Sequence, residues 1–372
     1  MSHDTTTHST PALAEANRLM TVCNSCRYCE GLCAVFPAME LKRSFTDGDL
    51  NHLANLCHNC GACYHDCQFT PPHEYAVNVP GTLAQVRAES YAQYAWPSAA
   101  RPLFARHGTA LAIGLTLGTA LFIAGFVTVG DPRALLTAHL EETRFYALMP
   151  HNAMVAVFGA AFLWMIIATF MGALAFWRDT GASGIERMDH TQATHDTARL
   201  RYLDGGGMGC FNDDDQPTDQ RRLWHHLTFY GFILCFAATS LATFYHYILS
   251  WHAPYSWYSA PALLGIAGGI GLVIGPIGLL RAKRDRMPEL GAQSFRGMEV
   301  GFILILLVTG ASGLALRILG ETALLGPLLA LHLGAVLTFF LTMPYGKFVH
   351  GLYRYLALVR YARDMRRHRQ GK

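Results

Sequence analysis

The sequence is short of charge. Asp, Glu, Lys and Arg make up 15% of its 372 residues, against 52% hydrophobic. Soluble domains carry about 25% charged residues, so much of this chain is expected to lie out of water. The shortage is concentrated. Thr109–Val129, Ala153–Trp177, Leu227–Leu249, Ala260–Leu280, Val300–Leu316 and Leu324–Tyr345 contain no Asp, Glu, Lys or Arg at all. Six uncharged runs of this kind exclude an ordinary soluble core and predict six helices crossing a ~30 Å hydrocarbon layer. The fifth is short and is expected to begin nearer Gly297, with Glu299 at the interface.

Two further absences narrow the reading. The first residues, MSHDTTTHSTPALAEANRLM, have no apolar centre and predict no secretory leader, which keeps the N-terminal segment in a reducing cytoplasm. Disulfides are disfavoured there, so clustered cysteines read as metal ligands. Nor does any strand lead into G-x-G-x-x-G, so a flavin would have to belong to a separate chain.

What charge there is alternates from loop to loop. Arg101 and Arg106 precede the first run. Arg178, Arg187, Arg199, Arg201, Arg221 and Arg222 lie between the second and third. Arg281, Lys283, Arg284, Arg286 and Arg296 lie between the fourth and fifth. Lys347, Arg354, Arg360, Arg363, Arg366, Arg367, Arg369 and Lys372 follow the sixth. The intervening loops are poor. Arg133 and Arg144 are offset by Asp131, Glu141 and Glu142, Ser250–Ser259 has no cation, and Arg317 stands alone. The positive-inside rule then predicts a multi-pass protein of the inner (cytoplasmic) membrane, with both termini in the cytoplasm.

Eight of the ten cysteines fall in residues 1–108. Cys23, Cys26, Cys29 and Cys33 form C-x2-C-x2-C-x3-C, and Cys57, Cys60, Cys63 and Cys67 repeat it. This is the ligand run of two-cluster ferredoxins, in which the fourth cysteine reaches the other cluster. It predicts one [4Fe–4S] cluster on Cys23, Cys26, Cys29 and Cys67, and another on Cys57, Cys60, Cys63 and Cys33. Zinc prefers two separated pairs of ligands and fits these fourfold runs poorly. The proline that usually follows the fourth cysteine is missing: Ala34 and Gln68 stand there. Between the motifs, Thr46 or Asp47 is expected to cap a helix through Leu50, Leu53, Ala54 and Leu56, which favours an all-α ferredoxin. His58 and His65 read as surface or supporting residues, since cysteines already fill the coordination.

Ionisable residues at membrane depth are costly and default to a functional reading. His225, His226 and His246 bracket the third run; His332 and His350 bracket the sixth. His332 and His350 are 18 apart, which is five helical turns and ~27 Å along one face of an unbroken helix. His225 suits the face of His246 better than His226 does. Antiparallel third and sixth helices would set His225 level with His350 and His246 level with His332. Each pair is an expected axial set for haem b, giving one or two haems. His151 is a reserve outer ligand. His107, His139 and His252 are expected at the interface, as is the aromatic belt of Trp251, Tyr255, Trp257 and Tyr258. The glycines of the loop LDGGGMGCFNDDDQP would let backbone approach a cofactor or partner, but without a strand–helix context the loop reads as flexible; Cys210 would serve as a reactive thiol only on evidence the sequence does not give, and Cys235 reads as packing.

The segment CNSCRYCEGLCAVFPAMELKRSFTDGDLNHLANLCHNCGACYHDCQFTPPHEYAVNVP resembles the N-terminus of the tricarballylate utilization protein B family, also called the CitB-type 4Fe-4S membrane protein family. YGFILCFAATSLATFYHY and MPYGKFVHGLYR resemble that family's membrane part. His332, Pro344, Lys347 and His350 are distantly similar to the haem-binding helix of the respiratory nitrate reductase gamma subunit. The resemblance implies an oxidoreductase subunit that reoxidises the flavin of a separate FAD-dependent dehydrogenase acting on tricarballylate. Electrons would go through the clusters and haem to membrane quinone. The implied partners are that dehydrogenase, quinone and the lipid bilayer, and no nucleic acid. The alternatives are a heterodisulfide- or cobalamin-pathway-type redox subunit with another donor, and a non-catalytic membrane anchor.

The expected architecture is therefore all-α. An α-helical ferredoxin domain occupies 1–108. A six-span, haem-binding, cytochrome b-like bundle occupies 109–350, with a cytoplasmic loop at 178–222, and a basic cytoplasmic tail occupies 351–372.

Overall fold

The computed structural model describes residues 8–129, 132–138, 144–181, 183–214 and 216–371. Asp131, His139, Glu141 and Glu142, which entered the charge and interface expectations, lie outside the described residues.

The cysteine-bearing part is helical. α1 (Pro11–Cys26) starts where the Thr10 hydroxyl accepts from the Leu13 N–H and Pro11 takes the first turn. It buries Leu13, Ala16, Leu19 and Met20 on one side and stops at Arg27, whose φ is +57°. After the short α2 (Val35–Glu40), α3 (Asp47–Leu56) begins with a capping box. Asp49 N–H donates to the Thr46 hydroxyl, and the Thr46 N–H donates back to the Asp49 carboxylate. Of the two expected caps, Thr46 is the one used. α4 (Ala62–His65) is a single turn after Gly61, and α5 (Val79–Gln93) is capped by Asn78.

α6 (Pro102–Ala105) leads into the long helices. These are α7 (His107–Val129), α9 (His151–Thr180), α11 (Gln220–Ile248), α12 (Ala260–Arg284), α13 (Arg296–Leu319) and α14 (Leu325–Thr342). Each is long and apolar enough to cross a membrane. Their outer faces expose Leu117, Leu121, Leu163, Phe170 and Phe236, which suits an apolar solvent. α8 (Arg144–Leu148) and α10 (Arg187–Ala198) lie between them. β1 (Cys210–Phe211) and β2 (Pro217–Thr218) form a two-residue antiparallel ladder.

Small residues set the helix spacing. A Cβ on Gly231 of α11 would lie 3.0 Å from the Gly268 carbonyl and from the backbone at Gly271 and Leu272 of α12. Gly118 of α7 meets Gly334 of α14 in the same manner. In lipid, such backbone-to-backbone approach gives the packing that the hydrophobic effect does not.

Two expectations need correction. α14 does not run on to His350. Met343–Tyr345 tightens into a 3-10 turn, Gly346 is extended, and a new helix, α15 (Val349–Arg369), follows. Pro344 lacks the N–H that would continue the α14 ladder, so the one-face argument linking His332 to His350 fails. The basic segment 351–372 is also no free tail. Tyr353, Ala357, Leu358 and Val359 of α15 are buried in one core with Leu19, Met20, Leu50, Leu53 and Val86 of the cysteine domain. Its cations meet fixed partners: Arg360 donates to Asp49 (2.6 Å), and Arg366 donates to both Asp189 oxygens (2.9 Å each).

Candidate metal centres

Thr10, Thr46 and Asn78 fix where the helices start, and the loops between them carry the cysteines. Cys23 and Cys26 close α1, Cys29 and Cys33 follow its left-handed end, Cys57 caps α3, and Cys63 sits in α4. A cavity of about 250 Å³ is ringed by Cys23, Cys26, Cys29 and Cys67, with Asp66, Arg27, Tyr28 and Phe69. Cys26 is exposed there, as is Tyr28. Burial, with the neighbouring Cys67 and Cys26 adding to it (and Cys29 in the case of Cys23), pushes the Cys23 and Cys29 thiols up to about 12.

The other four cysteines meet deeper in. Burial pushes Cys33 well above its usual range, with Cys60 and Cys57 adding to the rise. Cys63 is raised the same way, again by Cys60, Cys33 and Cys57 as neighbours. Cys60 is brought up to about 11. Thiols that raise one another in this way become thiolates only where cations stand among them, which is the chemistry of an iron–sulfur cluster. Among the described residues, no three His, Cys, Asp or Glu side chains converge tightly enough to grip a single ion.

The glycine-rich loop closes over the deeper set. Gly205, Gly206, Gly207 and Gly209 all have positive φ. A Cβ on Gly205 would lie 3.3 Å from Ala62 Cβ and 3.7 Å from Cys60 Sγ, and one on Gly206 would lie 3.2 Å from Leu32. The Phe211 N–H then donates to the Cys60 carbonyl at 2.8 Å, and the Phe211 ring stacks on His65 at 4.4 Å. Cys210 is buried beside Cys60, with Arg221 at 3.9 Å. The flexible-loop reading did not anticipate this packing, whereas its alternative, glycines that let backbone approach a cofactor or partner, rested on the same run of residues. His58 is buried, its Nδ1 2.9 Å from the Leu56 carbonyl.

The histidines separate into two groups. His225 of α11 faces His350 of α15, with ring centroids 6.1 Å apart and planes at 73°. The His350 Nδ1 lies 2.5 Å from the Lys347 carbonyl, which leaves Nε2 free, and His225 Nδ1 is buried without a hydrogen-bond partner. Two imidazoles this close, one with its Nδ1 engaged and the other with its Nδ1 orphaned, are candidate ligands for one metal centre. His226 turns instead toward Tyr230.

At the other end His332 lies 3.0 Å from the Ser312 hydroxyl and packs on Gly313. His246 stacks on His151 (centroids 3.9 Å) and its Nδ1 is 3.0 Å from that of His252. The expected level partners His332 and His246 thus each have other neighbours. His107 is 2% exposed and packs against Gly346 rather than lying at an open interface. Glu299 is held between Lys283 and Lys347, the latter at 2.7 Å, close to His350 in the chain. Sequence reasoning placed Glu299 at the interface and missed its two lysines, which lie 16 and 48 residues away.

Comparison with known proteins accords with this geometry. Residues 16–93 match the citrate utilization protein B Fer4-like domain, and residues 105–371 match citrate utilization protein B. A curated citrate utilization protein B of Escherichia coli is 47% identical over 358 residues, 96% of this chain and 94% of the relative. No solved structure matches. With both segments matched and almost the full length aligned, this chain belongs to the citrate utilization protein B family.

Proposed function

We propose that this chain is the membrane electron-transfer subunit of a dehydrogenase system. A separate FAD-dependent dehydrogenase is the donor, and membrane quinone is the acceptor. One observation carries the reading. The eight cysteines gather into two mixed sets, each with three from one motif and the fourth from the other, on the end of the bundle where His225 meets His350. Cys23, Cys26, Cys29 and Cys67 would hold one [4Fe–4S] cluster, and Cys57, Cys60, Cys63 and Cys33 a second. His225 and His350 would hold a haem b. His332 and His246, each engaged by other neighbours, are not proposed as a second pair. When bound, the clusters and haem supply one-electron oxidation and reduction.

The chain's own residues set the order. Cys26 and Tyr28, both exposed, present the first cysteine set to a soluble donor. The Gly205–Gly209 loop excludes water from the second. Arg354, one helical turn beyond His350, donates to the Cys57 carbonyl at 2.8 Å and so ties the deeper cysteines to the histidine pair. The Lys347 carbonyl fixes the His350 tautomer, as supporting hydrogen bonds do for metal-binding imidazoles. The arginine-rich loops at this end support a cytoplasmic orientation for it. The relative's name speaks of citrate utilization, and the family resemblance points to tricarballylate; a tricarboxylate is therefore the substrate class of the partner dehydrogenase.

The test is iron, sulfide and haem quantitation on anaerobically purified protein, with spectra before and after adding the reduced dehydrogenase. About eight non-haem irons and a reducible b-type band are expected. A colourless preparation holding zinc would overturn the reading.

A further inference from the structure

Four arginines from distant parts of the chain converge on the second cysteine loop. Arg87 of α5 donates to the carbonyls of Ala54 (3.1 Å) and Cys57 (2.7 Å). Arg354 of α15 donates to those of Asn55 (3.2 Å) and Cys57 (2.8 Å). Arg221 of α11 donates to Asn59 (2.7 Å) and His58 (3.3 Å), and Arg286 after α12 donates to the Asn59 side chain and the Leu290 carbonyl. Arg87 is buried and the other three are half-buried. All of these bonds end on carbonyl or amide oxygens rather than carboxylates. Glu299 is shared by Lys283 and Lys347. Four guanidinium groups thus crowd onto one short stretch of backbone, residues 54–59.

The first cysteine set has a different setting. Its cavity holds one acid, Asp66, and one cation, Arg27, and Cys26 is open to water. Charge there is balanced and screened.

A cluster that accepts an electron gains a negative charge, and its potential follows local charge, hydrogen bonds and exposure. Fixed cations favour the reduced state. Burial alone acts the other way, because it penalises the added charge. Under the glycine loop, however, the four guanidinium charges act with little water between them and the ligands, and they outweigh that penalty. We infer that the cluster on Cys57, Cys60, Cys63 and Cys33 is the higher-potential member of the pair, and that Arg87, Arg221, Arg286 and Arg354 are the residues that set it so. The favoured transfer is one electron from the outer to the inner set. One cluster is oxidised as the other is reduced, and no proton moves. The inference rests on the two-cluster reading above.

The test is an EPR-monitored redox titration of the full-length protein in detergent, after iron and sulfide quantitation. A preparation without two clusters refutes the earlier reading and this one with it. With two clusters present, replacing the exposed ligand by Cys26→Ser marks which signal is the outer one. The inner signal is expected to appear first as the potential is lowered. In Arg354→Met the ratio of reduced inner to reduced outer cluster falls at least tenfold, ~59 mV for a one-electron couple. Arg354→Lys restores most of it, because the charge returns. Arg221→Met is the second variant if Arg354→Met loses the cluster. An outer cluster that reduces first in the unaltered protein, or equal shifts of both signals in the variants, overturns the inference while leaving the two-cluster reading intact.

Discussion

Arg360→Met should loosen the cysteine domain from the rest of the chain. Arg360 is 5% exposed and Asp49 is 9% exposed, and their 2.6 Å pair joins α15 to the first turn of α3. Arg360 also donates to the Thr180 carbonyl at the end of α9. Removing one member of a buried pair costs about 3–5 kcal/mol, because the other charge is left behind. Lys42 still stands 3.2 Å from Asp49, which puts the expectation at the lower end, about 3 kcal/mol, or ~150-fold in the opening equilibrium. Burial would raise the Asp49 carboxyl, but the Arg360 hydrogen bond, Lys42 and the Thr46 hydroxyl overcome it and hold the group at about 2, against an ordinary 3.8. A carboxylate depressed that far contributes about 2 kcal/mol. The contribution is complete above pH 3.8 and is lost as pH falls through about 2. Hydrogen exchange of residues 47–56 in detergent at neutral pH is the assay. The double variant Arg360→Met/Asp49→Asn should recover part of the loss, since the stranded charge is gone. A cost below about 1 kcal/mol for the single variant, or a double variant no better than the sum, would refute the reasoning.

Three other outcomes follow from the geometry. His225→Ala and His350→Ala should each remove the same b-type haem signal, whereas His226→Ala should keep it; retention in both of the first two would break the proposed pair. Gly231→Ile should prevent the close approach of α11 and α12 and lower the yield of folded protein in membranes, read by fluorescence-detected size exclusion; a normal profile would contradict the packing. Gly205→Ala forces a Cβ onto a φ of +56°, a strain of about 1–2 kcal/mol, and presses on Ala62. Faster loss of the inner cluster signal in air is expected, with the outer signal unchanged.

Much of the fold was legible because lipid imposes a simple rule on residues. Stretches such as Ala153–Trp177 had to be uncharged, and their edges agree with the helices within about four residues, except that α11 starts seven residues before Leu227. The helix at Asp47–Leu56 was legible from Thr46 and its periodic leucines. Other features depended on partners far away in the chain. The cations of 351–372 read only as a basic tail because nothing in their own spacing shows that Asp49, Asp189 and Glu186 lie opposite. The spacing of His332 and His350 assumed an unbroken helix, and Pro344 and Gly346 break it. His225 and His350 nevertheless meet, through the turn that Gly346 allows. The arginine convergence left no local trace at all, since each arginine sits on a different element.

The union of α15 with the first helices also bears on truncation of the chain. The His52 Nε2 lies 3.0 Å from the Ala357 carbonyl, 305 residues away. Elements 305 residues apart therefore close a single interior, and a chain cut at residue 348 would leave Leu19, Met20, Leu50 and Leu53 without the α15 residues that cover them.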